Sequence, residues 1–257
     1  MPFTLSHAVL APPLAKLSGN RLSIAALAIG TMTPDLYRLF TDANYNQSHQ
    51  WSGLIFPNLF IALCFCVLWY GLYRQMLLSF FRLYKPLNIK NLNQFSGFII
   101  SLLCAIVIGI ATHLIWDGLT HVDFRTFAFQ HQLSQPIHFF QYSYPLHRVL
   151  QIGTSILALP LLFWMFYRYY QHNQHPQVIP HNLKVYVLTL FFLCLGVGML
   201  SFFYFATSLY ADALKNDLYR YIGKSINYFF RAFLSLFTLG SFIFVLLKWK
   251  TSIFNHS

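Results

Sequence analysis

The amino-acid sequence predicts an all-α, multi-pass membrane helical bundle: about five transmembrane helices behind a region of short N-terminal interfacial helices. Three observations carry this reading. The 257 residues are 57% hydrophobic and only 9% charged. A soluble domain carries about 25% charged residues, so there is too little polar surface here to meet water on every side. Five runs are long and apolar enough to cross a bilayer core about 30 Å thick, which takes roughly 20 residues at a rise of 1.5 Å. The basic residues behind the net charge of +11 are scattered between those runs. That is the distribution of headgroup-facing helix flanks, and it argues against a nucleic-acid surface.

Taken in order, residues 1–53 are read as short helices at the membrane interface. Leu22–Met32 is apolar but too short to span, and His7–Leu17 is interrupted by Pro12-Pro13. Ser6 and Ser23 are the expected N-caps. Thr33-Pro34-Asp35 has the grammar of another helix start, with a capping Thr, a Pro at the first helical position and an acid in the first turn. The opening segment has no basic residue ahead of an apolar stretch, unlike a cleaved signal peptide.

The spans are expected near 54–73, 95–117, 149–167, 185–210 and 226–247, within a single membrane domain covering 1–257. Pro160 is expected to kink the third span, and Arg231 to snorkel near the start of the fifth. Cys64, Cys66, Cys104 and Cys194 all fall inside apolar runs, where small buried hydrophobes fit better than a disulfide or a soft-metal site. Lys and Arg divide evenly between the two sides, so the positive-inside rule decides nothing by count. They are denser in the loops 74–94 and 168–184 and in the C-terminal tail, which leans towards an external N-terminal region.

With this topology, the N-terminal region, the end of the second span and the loop 118–148 share one side of the membrane. All six acids, Asp35, Asp42, Asp117, Asp123, Asp212 and Asp217, lie on that side. The most informative local pattern is His113-Leu-Ile-Trp-Asp117-Gly-Leu-Thr-His121. A spacing of four moves each side chain only about 40° around a helix, so these three form one stripe. Neutral imidazoles with an ionised carboxylate are what a zinc-type site needs. The same spacing also suits a plain His113–Asp117 pair closing the polar end of a helix. His7 and His49 by themselves read as interfacial polar residues, and Asp35 by itself as a helix-start acid.

In combination and order these segments carry a resemblance. Met1-Pro2-Phe3-Thr4-Leu5-Ser6-His7, Ala28-Ile29-Gly30-Thr31-Met32-Thr33-Pro34-Asp35, Ser48-His49 and the His113–His121 stretch look like a bacterial membrane family of unknown function. That family resembles the membrane-bound metal-dependent hydrolases. The motif order is also distantly similar to zinc-dependent phospholipase C. The resemblance implies His7, Asp35, His49, His113, Asp117 and His121 as ligands of a divalent metal, zinc in class, with Asp35 also the catalytic base for an attacking water. It implies the inner (cytoplasmic) membrane of a bacterium; the density of basic residues in the opposite loops makes the metal-site face the external one in this reading. The phospholipase pattern ends in His-x-x-x-Glu, whereas here His147 is followed by Gln151, which puts an additional metal in doubt.

The function expected from these residues is metal-dependent hydrolysis of a lipid or lipid-linked phosphoester at one membrane face. Arg38, Arg125 and Arg148 are candidates to grip the phosphate, and membrane lipids are the expected partners, with no nucleic acid. A transporter or proton-coupled channel would use the same His and Asp residues as a relay, but it calls for ionisable groups at several depths. A non-catalytic membrane scaffold that keeps the fold is the third reading, and Gln151 is mild support for it.

Overall fold

A computed structural model describes residues 4–41, 45–83, 86–176, 178–208 and 218–250. Asp42, Asp212, Asp217 and the last two residues of the expected fourth span lie outside the described residues. The protein is an all-α multi-pass helical bundle, and among the described residues five helical segments are long and apolar enough to cross a membrane: Trp51–Phe80, Leu92–Thr120, Leu146–Asn173, His181–Ser208 and Tyr221–Trp249. Each matches an expected run. Most are several residues longer, because helical hydrogen bonding continues into the polar flanks after the apolar stretch ends.

A 3-10 helix, Thr4–Leu10, leads directly into α1 (Ala11–Leu17) and is followed by α2 (Ile24–Leu36) and the short α3 (Tyr45–Ser48). The first span contains α4 (Phe60–Leu68) and α5 (Arg74–Phe80), joined through a wider π-helical turn, Trp69–Tyr73. Non-helical backbone at Phe56 (φ −128°, ψ 121°) breaks the segment just before Pro57. Next come α6 (Leu92–Thr120), α7 (Gln130–Ser134), the antiparallel strands β1 (Pro136–Phe139) and β2 (Tyr142–Pro145), α8 (Leu146–Asn173), α9 (His181–Ser208) and α10 (Leu218–Lys250).

Four local expectations are corrected. Pro12 and Pro13 do not interrupt a helix; they occupy the first turn of α1, where a missing N–H costs nothing. Ser6 does not cap a helix but lies inside the 3-10 turn and is buried, whereas Ser23 caps α2 as expected by accepting from the Ala26 N–H. Thr33-Pro34-Asp35 does not begin a helix. It forms the end of α2, with the Thr33 hydroxyl donating to the Ile29 carbonyl at 2.7 Å. Cys66 and Cys194 are buried, but Cys64 and Cys104 are exposed on the chain's surface. The β-hairpin in the loop 118–148 has no counterpart in the sequence reading.

The chain forms two compact units: Met1–Cys66 with Pro86–His172, and Val67–Lys85 with Asn173–Ser257. In the first, α2 packs along α6 through glycine. A Cβ on Gly30 would stand 2.5 Å from the Ile106 carbonyl oxygen, and one on Gly109 would stand 2.6 Å from that of Leu27. Such backbone-to-backbone approach is how helices pair tightly where no water drives them together. In the second unit α9 and α10 pack around Met76, Leu183, Leu190, Cys194 and Phe244. The Tyr186 hydroxyl donates to the Gly240 carbonyl at 2.7 Å.

Candidate metal centre

Asp35 is next to last in α2, and Asp117 lies in the last turn of α6. A carboxylate at a helix C-terminus opposes the macrodipole, whose negative end is there. Two helices therefore bring both their negative ends and two acids to one place, which is unfavourable unless positive charge collects between them. The close α2–α6 contact at Gly30 and Gly109 fixes that placement.

Histidines from three elements complete the cluster. His7, from the 3-10 turn, stacks on His113 of α6 with ring centroids 3.9 Å apart. His49 follows α3 directly and meets His113 edge-on at 5.3 Å. Five of the six residues expected as ligands thus converge. Two groups, His7–Asp35–His113 and His49–His113–Asp117, each have donor atoms within 4.8 Å of one another. These are the groupings of this kind among the described residues.

The hydrogen bonds behind the rings assign their protons. His113 Nδ1 lies 2.7 Å from the Thr31 carbonyl oxygen, which can only accept, so Nδ1 carries a hydrogen. The Ser48 hydroxyl is directed at the Pro34 and Tyr45 carbonyls at 3.0 and 2.8 Å, so it accepts from His49 Nδ1 at 2.9 Å. In both rings Nε2 is left facing the carboxylates. His113 Nε2 is 3.5 Å and His49 Nε2 is 3.7 Å from Asp117 Oδ2, and His49 Nε2 is 3.4 Å from Asp35 Oδ1. Tetrahedral donors about 2.1 Å from a zinc ion stand about 3.4 Å apart, so the spacing fits a shared cation. Among the described residues, His7 Nε2 and His113 Nε2 are buried without a hydrogen-bond partner.

Burial, and then the neighbouring His113, lower the His7 pKa, and burial also lowers that of His49 against the pull of Asp35. Burial works to raise the Asp35 carboxyl, but the contact with His49 and the adjoining imidazoles outweigh it and hold it well below the usual carboxylate range. Neutral imidazole and ionised carboxylate are the states that ligate a metal.

His121 stands apart from the two groups. It terminates α6, and its Nδ1 is 3.1 Å from the Asp117 carbonyl and 3.5 Å from Asp117 Oδ1. Burial, with Arg125 nearby, lowers its pKa to about 4. A histidine neutral when folded but protonated near pH 6.5 when unfolded costs stability as pH falls from about 6.5 to 4. Asp35 and Asp123, held low, contribute only below their ordinary range. Thermal unfolding in detergent should therefore weaken across that window, with His7, His49 and His121 responsible. His121→Asn should flatten the decline by one proton's worth, about 1.4 kcal/mol per pH unit. An unchanged slope would contradict the assignment.

Arg125 Nη1 lies 2.9 Å from Asp117 Oδ2, while Nε and Nη2 form a fork on Asp123 at 2.9 and 2.6 Å. The Arg38 guanidinium lies over the Tyr45 ring, 3.6 Å from its centroid. Arg125 and Arg38 thus surround the cluster, tied to its own residues. Tyr45 was not read from the sequence as a site residue. Its hydroxyl is 2.8 Å from His49 Nε2 and 3.3 Å from Asp35 Oδ1. The i,i+4 spacing of Tyr45 and His49 is the one signal that could have found it.

His147 and Gln151 serve the scaffold. His147 Nδ1 donates to the Leu133 carbonyl at 3.1 Å, and Gln151 Nε2 donates to the Thr120 carbonyl at the end of α6 at 2.7 Å. An ionised acid at 151 could not make that second bond. His131 pairs with Gln135 at 3.0 Å, and His138 is exposed.

No curated protein and no solved structure matches the chain. Residues 1–247 match a family described as a domain of unknown function, DUF4184. With nearly its whole length matched, and the convergent histidines and acids all inside the match, the chain belongs to the DUF4184 family.

Proposed function

We propose that His7, Asp35, His49, His113 and Asp117 hold a divalent metal, zinc in class, and that the protein is a membrane-embedded metal-dependent hydrolase acting on a lipid or lipid-linked phosphoester. The observation that carries the reading is the pair of Nε2 atoms on His113 and His49. Backbone and Ser48 partners fix their tautomers, leaving lone pairs 3.4–3.7 Å from two carboxylates, that of His113 without a partner among the described residues and that of His49 facing the Tyr45 hydroxyl at 2.8 Å. Second-partner bonds of this kind accompany most metal-bound histidines. The resemblance to metal-dependent hydrolases and the placement of both acids at helix C-termini support the same reading.

A bound divalent ion with an open position supplies acidification of water towards neutral pH and stabilisation of charge on a phosphoryl oxygen. The chain's own groups have distinct tasks. Asp35 is the most open of the carboxylates in the cluster, its side chain 16% accessible against 3% for Asp117. It is therefore the group able to accept a proton from an incoming water. The Tyr45 O–H, beside it, is shared between His49 Nε2 and Asp35 Oδ1, and it is released to an oxygen of the substrate once those two groups hold a cation. The reading includes a bacterial cytoplasmic membrane with this face external, on the density of basic residues in the opposite loops.

Phosphodiesterase assays on purified protein with added zinc or manganese, run beside uptake assays in proteoliposomes, test the proposal. Metal-dependent turnover that Asp35→Asn removes is the expected result. Uptake without turnover would replace the hydrolase with a transporter, and the absence of both would favour a scaffold.

A further inference from the structure

The segment Pro136–Pro145, PIHFFQYSYP, contains no charged residue, yet it stands largely open. Its strands pair in the register Pro136↔Pro145, Ile137↔Tyr144, His138↔Ser143 and Phe139↔Tyr142. Directly opposed residues share a face, and alternate residues of a strand share one too. Ile137, Tyr142 and Tyr144 thus lie on one face, with His138 and Ser143 on the other. Tyr142 and Tyr144 are 66% and 47% exposed, and their rings lie near-parallel, 6.3 Å apart. At the tip, Phe140 is fully exposed and has positive φ (52°), an uncommon backbone state for an aromatic residue.

A two-stranded hairpin is marginal in water unless a face is covered. Position says what covers this one. The hairpin ends at Pro145 and α8, a membrane-crossing helix, begins at Leu146. The Leu146 N–H donates to the Gln135 carbonyl at 2.9 Å, and His147 Nδ1 to that of Leu133, tying the base of the hairpin to the first turn of the span. Four residues of strand reach about 14 Å, while the headgroup layer on each side is about 5–8 Å deep. A hairpin tethered there fits within the headgroups only if it lies along the surface rather than standing out from it. Tyrosine, with an apolar ring and a polar tip, is the residue that favours this layer. The absence of charge argues against a charged protein partner.

We propose that the hairpin Pro136–Pro145 is a lipid-docking surface, with Ile137, Tyr142, Tyr144 and the Phe140 tip seated in the headgroup interface of the bilayer that the spans cross. The inference stands apart from the metal reading.

The test uses full-length protein in phosphatidylcholine vesicles, with the four native cysteines replaced by alanine and an environment-sensitive fluorophore on Phe140→Cys. The label should be quenched several-fold more by lipids carrying a nitroxide near the headgroup than by aqueous iodide. The same label on His138→Cys, on the opposite face, should be the more sensitive to iodide. Adding Tyr142→Ser and Tyr144→Ser to Phe140→Cys should move its label into water, with a melting curve confirming that the variant remains folded. Iodide quenching at 140 equal to that at 138 would overturn the proposal. Protection from both quenchers would also overturn it, by showing that protein rather than lipid covers the tip.

Discussion

Replacing Arg125 with glutamine is expected to cost the metal-free protein about 3 kcal/mol and to enlarge the stabilisation that added zinc provides. The first effect follows from burial. The Arg125 and Asp117 side chains are 14% and 3% accessible, and their contact is 2.9 Å. Removing one member of such a pair leaves the other charge buried, which costs about 3–5 kcal/mol. The lower end applies because His113 and His49 still face Asp117. The second effect has the opposite sign because Arg125 and a cation compete for Asp117 Oδ2. Glutamine removes the like charge and leaves the carboxylate to the metal. Thermal unfolding in detergent, with chelator and with zinc, reads both effects. Arg125→Lys keeps the charge and should retain the wild-type zinc response. A glutamine variant that responds to zinc no more than wild type would show that the two cations do not compete.

The second large effect lies at the helix contact. Gly109→Ala puts a methyl group 2.6 Å from the Leu27 carbonyl oxygen, 2.8 Å from the Thr31 nitrogen and 2.9 Å from Gly30 Cα. All three are backbone atoms and cannot rotate aside, so α2 and α6 must separate. Overpacking of this kind costs about 1–3 kcal/mol. The displacement also reaches the site, because Thr31 is both the obstacle and the acceptor that orients His113. Stability and metal affinity should fall together. Gly97→Ala in the same helix is the control, since nothing lies within 4 Å of a Cβ there. It should be neutral or stabilise by up to about 1 kcal/mol, the helix preference of alanine over glycine. Equal effects at 97 and 109 would mean that helix propensity, and not close packing, sets the outcome.

What could be read from the sequence, and what could not, divides along physical lines. The spans were legible because a bilayer imposes one length scale, and the pairing of His113 with Asp117 because helical spacing alone aligns it; His121 leaves the stripe because α6 ends at Thr120 and the backbone there is extended. The role of Thr33-Pro34-Asp35 was misread. Those residues satisfy the local rules for a helix start, but packing against α6 carries α2 through them to Leu36. The error hid a clue, since Asp35 looks favourable at a helix start and unfavourable where it actually lies. His7 and His113 are far apart in sequence, and no local pattern reports that their rings stack. Tyr45 escaped notice because a tyrosine before a membrane span fits the aromatic belt equally well. The hairpin was missed because its strands are only four residues each, too short for the alternation in Ile137-His138 and Tyr142-Ser143-Tyr144 to stand out.

The central claim is that these histidines and acids gather around a cation. Its most direct test is elemental analysis of the purified full chain, prepared without chelator, beside Asp117→Ala and His113→Ala. The account expects about one equivalent of a divalent transition metal per chain in the wild type and close to none in either variant, with all three proteins folded by circular dichroism. The same low content in wild type and variants, even after incubation with zinc, would contradict it.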